Sequence, residues 1–272
     1  MTYTFESTGF FGYGEKGDFK YWSFAHFAPL ILLAVGIFLI IWYRKKIANI
    51  KKEGTLRFIL GFIMLMSEMT YFWRLVYVGG TYVTKLPLQF CQWSGILCAF
   101  LIMSKNKTLY DICYFMVLTG GLFPLVMPAV ITTTGPAYFR YYQFWFEHCI
   151  PILIIMYMTF VHGYRPHWKS MLWSVGFVAL LAAFAIWANA TIPGAHYLYL
   201  SGTQPGASIL DILPASMWLR LPIFGAILAV MYILAYMPFF IPDIIKKRKA
   251  KKALAEGSAE TETKTDQENK TE

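Results

Sequence analysis

Seven apolar runs alternate with short polar stretches along most of the chain, at about 22–43, 57–78, 86–104, 109–130, 141–161, 170–190 and 216–241. Each run approaches the roughly 20 residues that a helix needs to cross a hydrocarbon core about 30 Å thick. The pattern predicts an all-α polytopic membrane protein with seven transmembrane helices spanning residues 22–243. Residues 1–21 precede it as an extracellular segment, and they lack the basic stretch and apolar core of a cleaved signal. Residues 244–272 follow as a tail, basic at first and then polar enough to be expected disordered.

Charge gives the runs a direction. Arg44, Lys45, Lys46, Lys51, Lys52 and Arg57 lie between the first two runs, Lys105 and Lys107 between the third and fourth, and Arg165 and Lys169 between the fifth and sixth. The tail opens Lys246-Lys247-Arg248-Lys249, whereas the other side carries only Lys16, Lys20, Lys85, Arg140 and Arg220. The positive-inside rule then puts the N-terminus out and the C-terminus in, as expected for a multi-pass protein of the cell membrane. One outer connection stands apart. Residues 191–215 are long, aromatic and rich in Gly and Pro, which predicts a lid or re-entrant segment over an outward cavity.

Composition agrees with the pattern. Of 272 residues 57% are hydrophobic and 18% aromatic, and only 14% are charged. The formal charge of +9 sits in short loops between apolar runs, so no nucleic-acid partner is expected. Cys91, Cys98, Cys113 and Cys149 all fall inside apolar runs without a CxxC spacing, which predicts neither a disulfide framework nor a metal site. No Gly-rich phosphate loop is present, and no cofactor is implied.

Polar residues inside the runs are distributed unevenly. At 1.5 Å per residue, His26, Glu68, Arg74, Gln89, Cys91, Gln92, Gln143, Glu147, His148 and Asn189 all fall in the outer halves. Ionisable groups at membrane depth mark sites by default, because burying them unpaired costs free energy. Glu68 and Arg74 are six apart and do not share a helical face, so pairs with other helices compete with a direct pair, and Glu147 either faces solvent or pairs with Arg74. A lone buried thiol is more often a packing residue than a nucleophile. Cys91 gains interest from His148, which lies at a comparable depth. His148 can take the thiol proton and later return it to a leaving group. Gln89, Gln92, Gln143 or Arg74 can donate to an oxyanion. Spans three and five must be adjacent for this to work.

Several stretches in the same order carry a family likeness. They are Ser23 to His26, Glu68 with Trp73-Arg74, Leu86-Pro-Leu-Gln-Phe-Cys91, Leu109 to Phe115, Tyr138 to Phe144 leading to His148, Gly163-Tyr-Arg-Pro166, and His196 to Leu200 through Ser208 to Asp211. Over about residues 20–240 the chain resembles the YwaF-like integral membrane proteins of bacteria and their eukaryotic relatives. Those relatives are regarded as acyltransferases that move fatty acyl chains onto lysophospholipids with a membrane-embedded Cys and His. The resemblance implies Cys91 as nucleophile, His148 as base and a membrane phospholipid as partner. It departs at Gln89, where a His is expected, and at His196, where an Asn is expected. A transport or ligand-binding protein using the same polar cluster without covalent chemistry is the competing reading.

Overall fold

The computed structural model describes residues 9–12, 19–77, 86–128, 134–200, 212–214 and 216–268, with side chains as far as 251. Its elements are α1 (Phe24–Ala48), α2 (Glu53–Tyr77), α3 (Phe90–Ser104), α4 (Lys107–Met116), a π-helical turn (Val117–Gly121), α5 (Leu122–Val126), α6 (Phe139–Phe160), α7 (Trp168–Thr191) and α8 (Met217–Glu268). Six helices are long and apolar enough to cross a membrane, with α4, the π turn and α5 forming one of them. The remaining run, third in the chain, is shorter: α3 has 15 residues, preceded by the extended segment Leu86–Gln89.

Two differences from the sequence pattern concern helix ends. The connection expected over 44–57 shrinks to 49–52, because α1 carries on through Lys45 and Lys46 and α2 starts at Glu53. Lys and Arg are good helix formers, and basic side chains in a last turn complement the helix dipole. The polar tail, expected to be irregular, continues α8 to Glu268. Its Ala, Glu and Lys content favours helix once an apolar helix has nucleated it.

The middle layer of the bundle is α3, α4 and α6, whose Cys98, Leu101, Cys113, Phe115, Phe144 and Ile155 are fully buried. α1 packs on α6, α2 on α3 and α7 on α4, and α8 meets the π turn. The outer helices keep large apolar side chains on their free faces, such as Leu32, Trp42, Leu172, Trp187 and Trp218, which suits a hydrocarbon solvent.

Each end is tied by side chains. At the basic end Glu53 Oε1 accepts from Arg57 Nε at 2.7 Å, from His162 Nε2 at 3.0 Å and from the Tyr157 hydroxyl, joining α2 to α6. Asn106 caps α4 by accepting from the Thr108 and Leu109 amides. At the opposite end Asn189 holds both main-chain groups of Tyr197, and the Tyr197 hydroxyl accepts from the Leu86 amide at 2.7 Å. The buried Arg220 donates to the carbonyls of Tyr199, Leu213 and Pro214. Residues 192–200 therefore lie folded against α7 and the segment before α3. The remainder of the expected lid, 201–211 and 215, falls outside the described residues.

Gly120 in the π turn sets how closely α3 approaches. A Cβ there would lie 2.2 Å from the Phe90 ring, so only glycine admits the residue that precedes Cys91. Gly120→Ala should cost about 1–3 kcal/mol by overpacking. Gly176→Ala, with open space around its Cβ, should be neutral or slightly stabilising. Thermal unfolding of both variants in detergent checks this, and an equal melting temperature for the two would contradict it.

Candidate functional site

Three helices meet at the end away from the basic loops. α2, α3 and α6 all contact one another, so the adjacency of the third and fifth spans is present. Helical spacing places Glu68 and Tyr71 on one stripe of α2, and Arg140, Gln143 and Glu147 on one stripe of α6. Cys91 and Gln92 open α3 beside them. Gln92 Oε1 accepts from the Gln89 amide at 3.3 Å and so closes the first turn of α3.

Arg140 is the centre of this cluster. Its Nη1 donates to Gln143 Oε1 and lies 3.6 Å from Glu147 Oε2, and its guanidinium covers the Tyr71 ring at 4.5 Å from the centroid. Glu68 and Glu147 lie within reach of each other and of Arg140. Cys91 is half-buried and unbridged, within electrostatic reach of Glu147, Glu68 and Arg140. His148 also feels Arg140. One cation thus touches the fields of both the thiol and the imidazole.

His148 is buried, and its Nδ1 sits 2.7 Å from the Phe144 carbonyl. A carbonyl only accepts, so Nδ1 carries the proton and Nε2 presents the lone pair of a base. The described residues show no hydrogen bond between Cys91 and His148. Resting-state catalytic contacts are often long and tighten only with substrate bound.

The other expected site residues are placed elsewhere or used structurally. His26 is fully buried: Nδ1 accepts from the Trp22 amide at 3.2 Å and Nε2 donates to the Leu125 carbonyl at 2.9 Å, which fastens α1 to the end of α5. Both of its ring nitrogens are occupied. Of the two alternatives for Glu147, solvent or Arg74, the structure takes neither. Arg74 is buried, with Nη2 donating to the Gly12 carbonyl at 2.7 Å, and Glu147 turns to Arg140 instead because that residue shares its helical stripe. Gln89 Oε1 accepts from the Leu198 amide at 3.3 Å, which links the start of α3 to the folded outer segment. Asn189 organises Tyr197.

Two members are not among the expected site residues. Arg140 reads in sequence as an outer charge, although its 140/143/147 spacing carries a helical signal. Tyr71 had no signal, since aromatics near a membrane interface are common.

Arg140→Gln leaves the two carboxyls without their cation and should lower stability by about 1–3 kcal/mol. Adding Glu147→Gln to it should restore part of that loss. Thermal unfolding of the single and double variants measures the coupling, and strictly additive losses would contradict the pairing.

The TMEM164 family model matches residues 21–236 of the chain. No curated protein and no solved structure matches it.

Proposed function

The chain belongs to the TMEM164 family, and on that premise we propose that it is a membrane-embedded acyltransferase or transacylase working on phospholipid acyl chains. It is a multi-pass membrane protein whose helices alone put it among lipids. The proposal includes a seventh crossing by α3. Its 15 residues rise about 22 Å, and the extended Leu86–Gln89 segment adds about 13 Å, enough together for the hydrocarbon core. It also includes the N-terminus outside and the C-terminus inside the cell membrane, with the polar cluster opening outward. The likeness to YwaF-like proteins and their acyltransferase relatives supports the same assignment.

The observation that carries the reading is that α3, whose first turn holds Cys91, packs against α6, where His148 Nδ1 is held by the Phe144 carbonyl and its Nε2 is left as the basic nitrogen. His148 Nε2 takes the Cys91 proton, and the thiolate attacks the ester carbonyl of a donor lipid. That attack forms the C–S bond of a tetrahedral oxyanion, whose collapse to the thioester breaks the ester C–O bond as the imidazolium returns its proton to the departing lysolipid oxygen. The acceptor hydroxyl then gives its proton to Nε2 and attacks the thioester, the C–S bond breaks as the new ester forms, and Nε2 returns the proton to the Cys91 sulfur. Arg140 supplies positive charge to the lipid phosphate, the role its fork-shaped guanidinium suits best.

A second reading has its own support. The Oε1 atoms of Glu68 and Glu147 and Gln143 Nε2 are buried without hydrogen-bond partners among the described residues, as in a polar binding site awaiting a ligand. A transport or ligand-binding protein uses those groups and needs no thiol. Acyl transfer in defined liposomes separates the two. Cys91→Ala and His148→Ala, each shown to be folded, should lose at least about a hundredfold in rate. Full activity in either variant sinks the acyltransferase reading.

A further inference from the structure

The basic end of the bundle holds a second feature, at the opposite end of the same helices from Cys91. Glu53 and Glu68 are separated by about 22 Å along α2, so the two places do not overlap. α1 and α2 follow each other through the short turn 49–52, yet α1 packs mainly on α6 and α2 mainly on α3. Gly36 lets α1 press onto Leu153 of α6, and Gly61 lets α2 press onto Ala99 and Met103 of α3. Each helix is drawn to a different partner, and a cleft of about 260 Å³ opens between them. Its walls are almost wholly apolar, with Ile40, Ile47, Leu60, Ile102, Ile150 and Leu153 among them.

The rim has a different chemistry. Arg57, Glu53 and Tyr157 line the cleft where it meets the basic end. Glu53 is consumed by Arg57, Tyr157 and His162, so its charge is already matched. Arg57 spends Nε on Glu53 and Nη1 on the carbonyls of Ile102 and Met103, while its Nη2 has no hydrogen-bond partner among the described residues. Lys45 and Lys46 in the last turn of α1, and Lys51 and Lys52 in the turn that follows, belong to the same end of the bundle and are all exposed. A hydrocarbon slot with a cationic rim at the membrane surface matches a lipid tail beneath an anionic headgroup. The volume falls just below the roughly 300–1,000 Å³ of small-molecule pockets, which suits one chain and no headgroup.

We propose that this cleft binds one acyl chain of an anionic phospholipid from the leaflet at the basic end, with the lipid phosphate held by Arg57 Nη2 and the lysines of the α1–α2 turn. The chain lies between α1 and α2 and fills the space left where each packs mainly on another helix. The site is independent of the chemistry proposed at Cys91.

The test uses the full chain in nanodiscs containing equal amounts of phosphatidylglycerol and phosphatidylcholine, one of them bearing a mid-chain diazirine in each arm. After irradiation, peptide mass spectrometry locates the adducts. Phosphatidylglycerol should label the segments around Ile40–Ile50 and Ile150–Ile154 at least about fivefold more than phosphatidylcholine, since each basic residue near a membrane surface contributes about 1 kcal/mol towards an anionic lipid. The combined Lys51→Gln/Lys52→Gln variant should remove that preference. Leu60→Trp, which fills the slot, should suppress labelling by both lipids in those segments. Equal labelling by the two lipids, labelling indifferent to Lys51→Gln/Lys52→Gln, or cross-links between two copies through this face would overturn the proposal. The lysine substitutions lie in an exposed turn, so the test stands even if Leu60→Trp does not fold.

Discussion

A guanidinium placed among apolar helices must find negative charge, and Arg140 finds it on its own helix and towards α2. Its pairing with Glu147, its hydrogen bond to Gln143 and its cover over Tyr71 tie α6 to α2 at the level where α3 begins. In a medium without water the alternative is an uncompensated charge, which is far more costly than the modest net gain of the pair itself. The cluster therefore specifies how these helices sit more than it stabilises them. Cys91 is delivered to it by α3, whose approach depends in turn on the missing Cβ of Gly120.

Much of this was legible in the chain. Seven apolar runs forecast the helices to within about five residues, apart from the far end of α8, and polar groups gathered towards one end pointed to where the cluster of α2, α3 and α6 lies. What the pattern could not give is which polar groups meet. His26 looks in sequence like a site histidine, yet it is a fastening between α1 and the end of α5, decided by a main-chain carbonyl 99 residues away. Arg74 and Arg140 look alike as outer charges. A backbone carbonyl from the segment before α1 claims the first, and the stripe 140/143/147 turns the second inward. Main-chain partners leave no trace in side-chain spacing, and stripes on different helices meet only once packing has set their rotation.

The two ends of the molecule use related physics for different purposes. At one end charge is gathered inside the bundle and shared among side chains, leaving a thiol and a properly tautomerised imidazole within the same field. At the other, Glu53 is saturated by Arg57, Tyr157 and His162, and the surplus positive charge faces the membrane surface above an apolar slot. In the functions proposed for them, both arrangements address lipid, the first through the ester and phosphate of a substrate and the second through a tail and its headgroup.

The central claim is that Cys91 carries an acyl group. Intact-protein and peptide mass spectrometry after incubation with a phospholipid donor, in the absence of any acceptor, tests it most directly. The account predicts a mass increase of one acyl chain on the peptide containing Cys91, released by neutral hydroxylamine as a thioester should be. An unmodified Cys91 under these conditions, or an adduct that persists in Cys91→Ala, would contradict it.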